Sequence, residues 1–369
     1  MKKIALLIFL VLLCGCGRKT AEVPGQIQKT GSMDLKYAKE FTVDYYGDAL
    51  ARIQIEDRVY WFSQDGSEIA SELSGNDTVI SGLPEHIYLA SSASMDHFRR
   101  LGELDRVAMT STMYADWSIP EIRELVYEDE ISFVGKYSAP DIEYILSEEC
   151  DLAIENTMIF HSPDILEELE RVGIPVLVER SSREQDPLGR LEWIKLYGLL
   201  SGKLPEAEQF FAESEKQILK MQETAETTEG DKPKAAYFYV TGQGGINVRA
   251  EDDYVIHMLK AAGADYVPKN LPEGTSRAYI TIDAENFYAQ VHDADILIYN
   301  GVIGDGIRTK EELIAMNSLL ADFDAVRSGR VWITDNSLLQ ESTGIADAVQ
   351  DFRTILEGGE ELKYLTKIE

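Results

Sequence analysis

"LGRLEWIKLYGLLSGKLPEAEQFFAESEKQILKMQETA" occupies Leu188–Ala225 of a 369-residue chain. It contains no strand pattern. Apolar residues recur at helical spacing, first at Trp193, Leu196, Tyr197 and Leu200, then at Phe210, Phe211, Ile218 and Met221. Pro205 belongs at the start of a helical segment rather than inside one. The stretch decides the fold because a different rhythm lies on each side of it.

Before it, short apolar runs alternate with helical patterns: "HIYLAS" from His86, "RVAMTS" from Arg106, "SFVG" from Ser132, "DLAIEN" from Asp151 and "PVLVER" from Pro175. The segments between, such as "SMDHFRRLGEL" and "SPDILEELERVG", read as helices, the second stopped by Gly173. Strands that are apolar throughout and separated by helices imply a parallel sheet covered on both faces. After Lys234 the alternation returns with "AAYFYVT", "DYVIHMLKAAG", "DADILIYN", "KEELIAMNSLLADF", "RVWITD" and "GIADAVQDFRTILEGG". The expected fold class is therefore α/β: two Rossmann-like lobes joined by a single long α-helix, with a cleft between the lobes. Ahead of the first lobe, "FTVDYYGDALARIQIEDRVYWFSQDG" alternates apolar and polar residues and reads as strands in a hairpin. A weak repeat links the lobes: "DIEYILSEECDLAIEN" (141–156) parallels "DAENFYAQVHDADILIYN" (283–300), with spacing that differs by two residues.

The start of the chain is of another kind. Lys2 and Lys3 precede the apolar run "IALLIFLVLL". That run is shorter than the roughly 20 residues a membrane span needs, and its charge and length fit a secretory signal. Leu13-Cys14-Gly15-Cys16 resembles the lipobox of bacterial lipoproteins. The resemblance implies cleavage after residue 15 and lipidation of Cys16; an ordinary secreted chain is the other reading. Residues 16–36, polar with Pro and Gly, form an expected tether, reaching roughly 25 Å as a coil. The remaining divisions are 37–187, 188–230 and 231–369.

Cys150 is left without a partner, so the chain must fold on its apolar core rather than on disulfides. The net charge of -30 excludes nucleic acid, which needs a basic stripe, as partner. Five histidines, none paired at metal-ligand spacing, argue against a bare metal ion. Gly-x-Ser-x-Gly and His-Glu-x-x-His are absent, so the chain is read as no enzyme, with a cell-surface hydrolase as the weak alternative.

Two lobes around a helical linker on an exported lipoprotein resemble the substrate-binding proteins of ABC importers. The similarity is to the helical-linker class that carries iron-siderophores, cobalamin or haem. Its most specific stretches are "VGKYSAPDIEYILSEECDLAIEN", "GIPVLVERSSREQDPLGRLEWIKLYGLLSGK" and "GQGGINVRAEDDYVIHMLKAAGADYV". The resemblance implies an extracytoplasmic, lipid-anchored monomer without cofactor. It also implies a permease dimer with a cytoplasmic ATPase as partner, and Glu143 and Glu285 as the carboxylates that dock on that permease. A helix-start carboxylate favoured by the helix dipole is the plainer reading of each.

Ligands of α/β sheets bind outside the carboxyl ends of the strands. The strand ends offer Ser92, Tyr114, Trp117, Lys136, Tyr137 and Arg180 on the first lobe. On the second they offer Tyr239, Gln243, Asn247, Arg249, Arg308 and Trp332. Lys136, Arg180, Arg249 and Arg308 would make the cleft locally basic for an anionic ferric siderophore. Tyr114, Trp117, Tyr137, Tyr239 and Trp332 would stack on a flat chelate or macrocycle. The glycine-rich "TGQGGINVR" reads as a loop leaving room for a large ligand. Cobalamin or haem is the alternative ligand, and a non-transport adhesin or sensor the alternative role.

Overall fold

The computed structural model describes residues 27–69, 74–227, 230–269, 271, 279–303 and 306–369. The signal, Cys16 and the first part of the tether lie outside these residues. Among the described residues no helix is long and apolar enough to cross a membrane.

Three sheets follow in chain order. The first joins β1 (Gly31–Ser32), β2 (Phe41–Tyr46), β3 (Leu50–Ile55), β4 (Arg58–Ser63) and β5 (Thr78–Ser81) in sequential order. The expected hairpin is thus an antiparallel meander, β2 through β4, extended by β5 parallel to β4. The second sheet is wholly parallel, in the order β10 (Val176–Val178), β9 (Leu152–Glu155), β6 (Ile87–Leu89), β7 (Val107–Thr110), β8 (Ser132–Phe133). The third contains β11 (Lys234–Val240), β12 (Ile246–Arg249), β13 (Asp265–Tyr266), β14 (Tyr279–Ile282), β15 (Ile296–Asn300), β16 (Val331–Thr334) and β17 (Leu365–Lys367). Here β11, β13, β15 and β16 run parallel, β12 and β17 run opposite to them, and β14, antiparallel to β12, runs with them again.

The apolar runs are strands because both faces of each sheet are covered. Along β9, Leu152 and Ile154 enter the core shared with the first sheet. Ala153 faces the opposite core, under helices Ile142–Ser147 and Pro163–Arg171. Along β15, Ile296 and Ile298 face one way and Leu297 and Tyr299 the other. Burying each such side chain contributes about 1.5–3 kcal/mol.

The two members of the sequence repeat occupy equivalent places. Asp141 and Asp283 cap helices Ile142–Ser147 and Ala284–Val291 by accepting from Tyr144 N and Asn286 N. After each helix, Asp151 or Asp295 precedes an interior strand. Asp151 accepts the backbone N–H of Glu85 and His86 ahead of β6. Asp295 accepts that of Lys234 at the start of β11.

The connector is helical throughout but is not one helix. Pro187–Glu192, Ile194–Ser201 and Leu204–Thr227 follow one another, and Gly202 ends the second by taking a left-handed conformation, φ 73°. That conformation costs glycine little and other residues more. Trp193, Leu196, Tyr197 and Leu200 join the first-lobe core; Leu188, Ile194, Phe211, Ile218 and Met221 join the second. A segment built into both cores is a stiff link.

The tether ends earlier than residue 36. Gly31–Ser32 pairs with β2, and the backbone N–H groups of Lys36, Tyr37 and Ala38 all donate to the buried Glu192 carboxylate. Lys195 Nζ, 2.8 Å away, balances that charge.

Candidate functional site

The segment after β16 reaches from the second lobe to the helix after β6, Ser92–Leu101, and to the loop after β7. Gln340 accepts the Ser118 backbone N–H at 2.7 Å and donates to Asp116 O at 2.8 Å. Ser342 Oγ donates to Ala93 O at 2.7 Å. Thr343 gives its backbone N–H and its hydroxyl to Asp96 Oδ2, at 2.8 and 2.6 Å. Asp96 is wholly buried at the middle of helix Ser92–Leu101. Beside it, His97 stacks on Tyr197 with centroids 4.6 Å apart. Burial pushes the imidazole pKa down to about 4, against the pull of Asp96. A small cavity of about 60 Å³ lies at this junction, lined from both lobes and the connector by Ala93, Ser181, Arg190, Tyr254 and Leu338 among others.

The candidate ligand residues divide into two sets. Tyr114, Lys136, Gln243 and Arg308 are exposed, and Ser92, Tyr137 and Tyr239 are half-buried. Tyr114 meets Tyr127 edge-on at 5.4 Å, and Tyr239 meets Tyr279 at 5.3 Å.

The other set is turned into the fold. Trp117 is 1% exposed, packs in the first-lobe core and donates its indole N–H to Thr112 O. Trp332 lies in the second-lobe core. Neither ring is open to stack on a chelate. Arg180 is held by Glu40 at 2.9 Å and Glu56 at 2.5 Å, both contributed by the segments around the first sheet. Arg249 is 5% exposed, paired with Asp253 at 2.7 Å and bonded to the Tyr279 hydroxyl at 2.5 Å. Asn247 is buried between Tyr239 and Thr281. Both of these come from "TGQGGINVR", which is a hairpin and not an open loop. Its turn closes where Thr241 N donates to Gly245 O and Gly244 N to Thr241 O, and "INVR" is β12.

Of an exposed apolar set in the same loops, sequence reasoning singled out Tyr114 alone. Met113 and Tyr114 follow β7, Met158 and Phe160 follow β9, and Ile303 follows β15; each is between 45 and 49% exposed. The available signal was large apolar side chains in strand-to-helix loops, where the core has no use for them. Also missed was Glu155, at the carboxyl end of β9. It is 0% exposed, and neither carboxylate oxygen has a hydrogen-bond partner among the described residues. Burial alone pushes its pKa up to about 8.

Glu143 and Glu285 stand at corresponding positions, each in the first turn of its Asp-capped helix, one on each lobe, and both exposed. Among the described residues no three His, Cys, Asp or Glu side chains come together to hold a metal ion.

The chain is 25% identical over 266 residues to an uncharacterised lipoprotein of Methanocaldococcus jannaschii, covering 69% of this chain and 66% of that protein, just under two thirds of its length. A periplasmic haem-binding protein of Pseudomonas aeruginosa superposes with a TM-score of 0.60 at 19% identity, over 78% of this chain and 99% of the other. The petrobactin-binding protein of Bacillus subtilis does so with a TM-score of 0.59 at 16% identity, over 78% and 95%. Likeness at these identities establishes the two-lobed fold. The family model matches residues 89–338, which run from the end of β6 into the segment that clasps helix Ser92–Leu101. The chain therefore belongs to the periplasmic binding protein family, whose members bind solutes and are not enzymes.

Proposed function

We propose that this chain is an extracytoplasmic, lipid-anchored receptor that captures an iron chelate of the siderophore type and delivers it to an ABC importer. Cys16 carries the lipid. A permease dimer receives the loaded protein at Glu143 and Glu285, and its cytoplasmic ATPase drives import.

The observation that carries this reading is the pair of exposed glutamates. Each occupies the same place in an Asp-capped helix on its own lobe. Symmetric carboxylates on the two lobes of a stiffly linked body match a partner made of two like subunits. The solute-binding family and a lipoprotein relative support the remainder.

The exposed apolar residues at the strand ends favour a second ligand, a tetrapyrrole-type compound such as cobalamin or haem, delivered in the same way.

The test is charge reversal, Glu143→Arg with Glu285→Arg, in cells that depend on this importer. Ligand binding by the purified variant is expected to persist while uptake is lost. Normal uptake would remove the docking assignment. Replacing Cys16 with Ser is expected to release the protein from the membrane fraction.

A further inference from the structure

We infer that the ligand of this cleft is a chelate of low net charge with an apolar or aromatic face, and not a polyanion. The inference rests on the proposed capture of a metal chelate and narrows its chemical class.

The first ground is where the exposed apolar side chains stand. In the second sheet β7 and β9 flank β6, so the loops that follow them lie two strand spacings apart, about 10 Å. Met113 and Tyr114 project from one loop, and Met158 and Phe160 from the other. Ile303 adds a counterpart after β15 on the opposite lobe. Thioethers and aromatic rings are polarisable and match flat apolar surfaces without demanding charge. About 10 Å is the scale of one chelate or macrocycle rather than of a single ion.

The second ground is the charge left in the cleft. Of four candidate cations, Arg180 and Arg249 are already neutralised by Glu40, Glu56 and Asp253. Arg308 keeps an exposed guanidinium, with the Glu312 carboxylate close by on the Arg308 backbone N–H at 2.7 Å. Lys136 remains exposed, but so do Asp116 after β7 and Asp335 after β16. The local balance therefore does not overcome the net charge of -30 on the whole chain. A multiply charged anion approaching this protein meets repulsion at range and finds few free cations at contact.

The test uses the full chain in detergent and measures equilibrium binding of three probes at two salt concentrations. Ferrichrome and cyanocobalamin are neutral, and ferric enterobactin is a trianion. At least one neutral probe is expected to bind about tenfold or more tighter than the trianion. Its affinity is expected to change less than about threefold between 0.05 and 0.5 M NaCl, because exposed charges contribute little. Phe160→Ala and Met158→Ala, both at exposed positions, are each expected to weaken that binding about tenfold by removing apolar contact area. Tightest binding of ferric enterobactin, falling steeply with salt, would overturn this inference while leaving the chelate-receptor reading intact. Binding of none of the three would overturn both.

Discussion

Asp96 and Thr343, 247 residues apart, are joined by two hydrogen bonds across the lobes. The Thr343 backbone N–H and hydroxyl both donate to Asp96 Oδ2, at 2.8 and 2.6 Å. Asp96 also accepts from Arg99 at 2.7 Å on its other oxygen. A wholly buried carboxylate with three donors is satisfied only while the segment after β16 lies against helix Ser92–Leu101. Asp96→Ala removes those acceptors and leaves Arg99 without its buried partner. The expected loss is about 3 kcal/mol in denaturant unfolding. Thr343→Val removes only the hydroxyl contact and should cost about 1 kcal/mol. The two losses should combine to less than their sum, since the residues share an interaction. An Asp96→Ala variant as stable as the parent would refute the role of this clasp.

The connector depends on one close approach. A Cβ placed on Gly198 would stand 2.6 Å from Ala207 Cβ and 3.0 Å from Lys203 O, where helix Ile194–Ser201 crosses the start of Leu204–Thr227. Gly198→Ala would raise helix propensity in isolation by about 1 kcal/mol. Here the forced separation of two helices built into both lobe cores should outweigh that gain. The expected outcome is a net loss of about 1–3 kcal/mol, seen as a lower thermal midpoint. A raised midpoint would mean that the crossing relaxes freely.

Most of the fold was legible because its signals are local and strong. The runs at Ile87, Val107, Leu152, Val176, Ala235, Ile296 and Val331 are all strands, and Leu188–Ala225 is helical. The sheet of β1–β5 was half-read, because alternation identifies strands but not the partner that β5 takes. The site was legible by place and not by direction. A strand end locates a residue near the cleft, but Trp117, Arg180, Arg249 and Trp332 turn inward, two of them onto partners distant in sequence: Glu40 for Arg180 and Tyr279 for Arg249. No local pattern announces such a partner. Glu143 and Glu285 were readable because Asp-x-Glu at a helix start fixes both cap and exposure.

Arg249 separates a binding role from a structural one. Its guanidinium lies 5% exposed between Asp253 and Tyr279, and Asp253 in turn caps helix Tyr254–Ala262 through Val255 N. Arg249→Met leaves the half-buried Asp253 carboxylate without its countercharge. The ligand-free protein is expected to lose about 3–5 kcal/mol. A ligand-contacting arginine would behave otherwise, with affinity falling and the ligand-free melting midpoint unchanged.

Glu155 supplies a stability effect that depends on pH. Among the described residues its carboxyl has no hydrogen-bond partner, and burial raises its pKa from the ordinary 4.5 to about 8. Below pH 4.5 the folded and unfolded chains both hold the proton, so the raised value costs nothing. Between pH 4.5 and 8 the unfolded chain ionises freely while the folded chain retains its proton, and stability is lost progressively. At pH 7 the accumulated loss is about 3 kcal/mol. Glu155→Gln keeps the shape and removes the titration. Its stability relative to the parent should therefore rise steadily from pH 5 to pH 8 and level off above that, measured by denaturant unfolding at a series of pH values. A difference independent of pH would mean that the carboxylate is ionised in the fold, which would require a partner that the β9 environment does not supply.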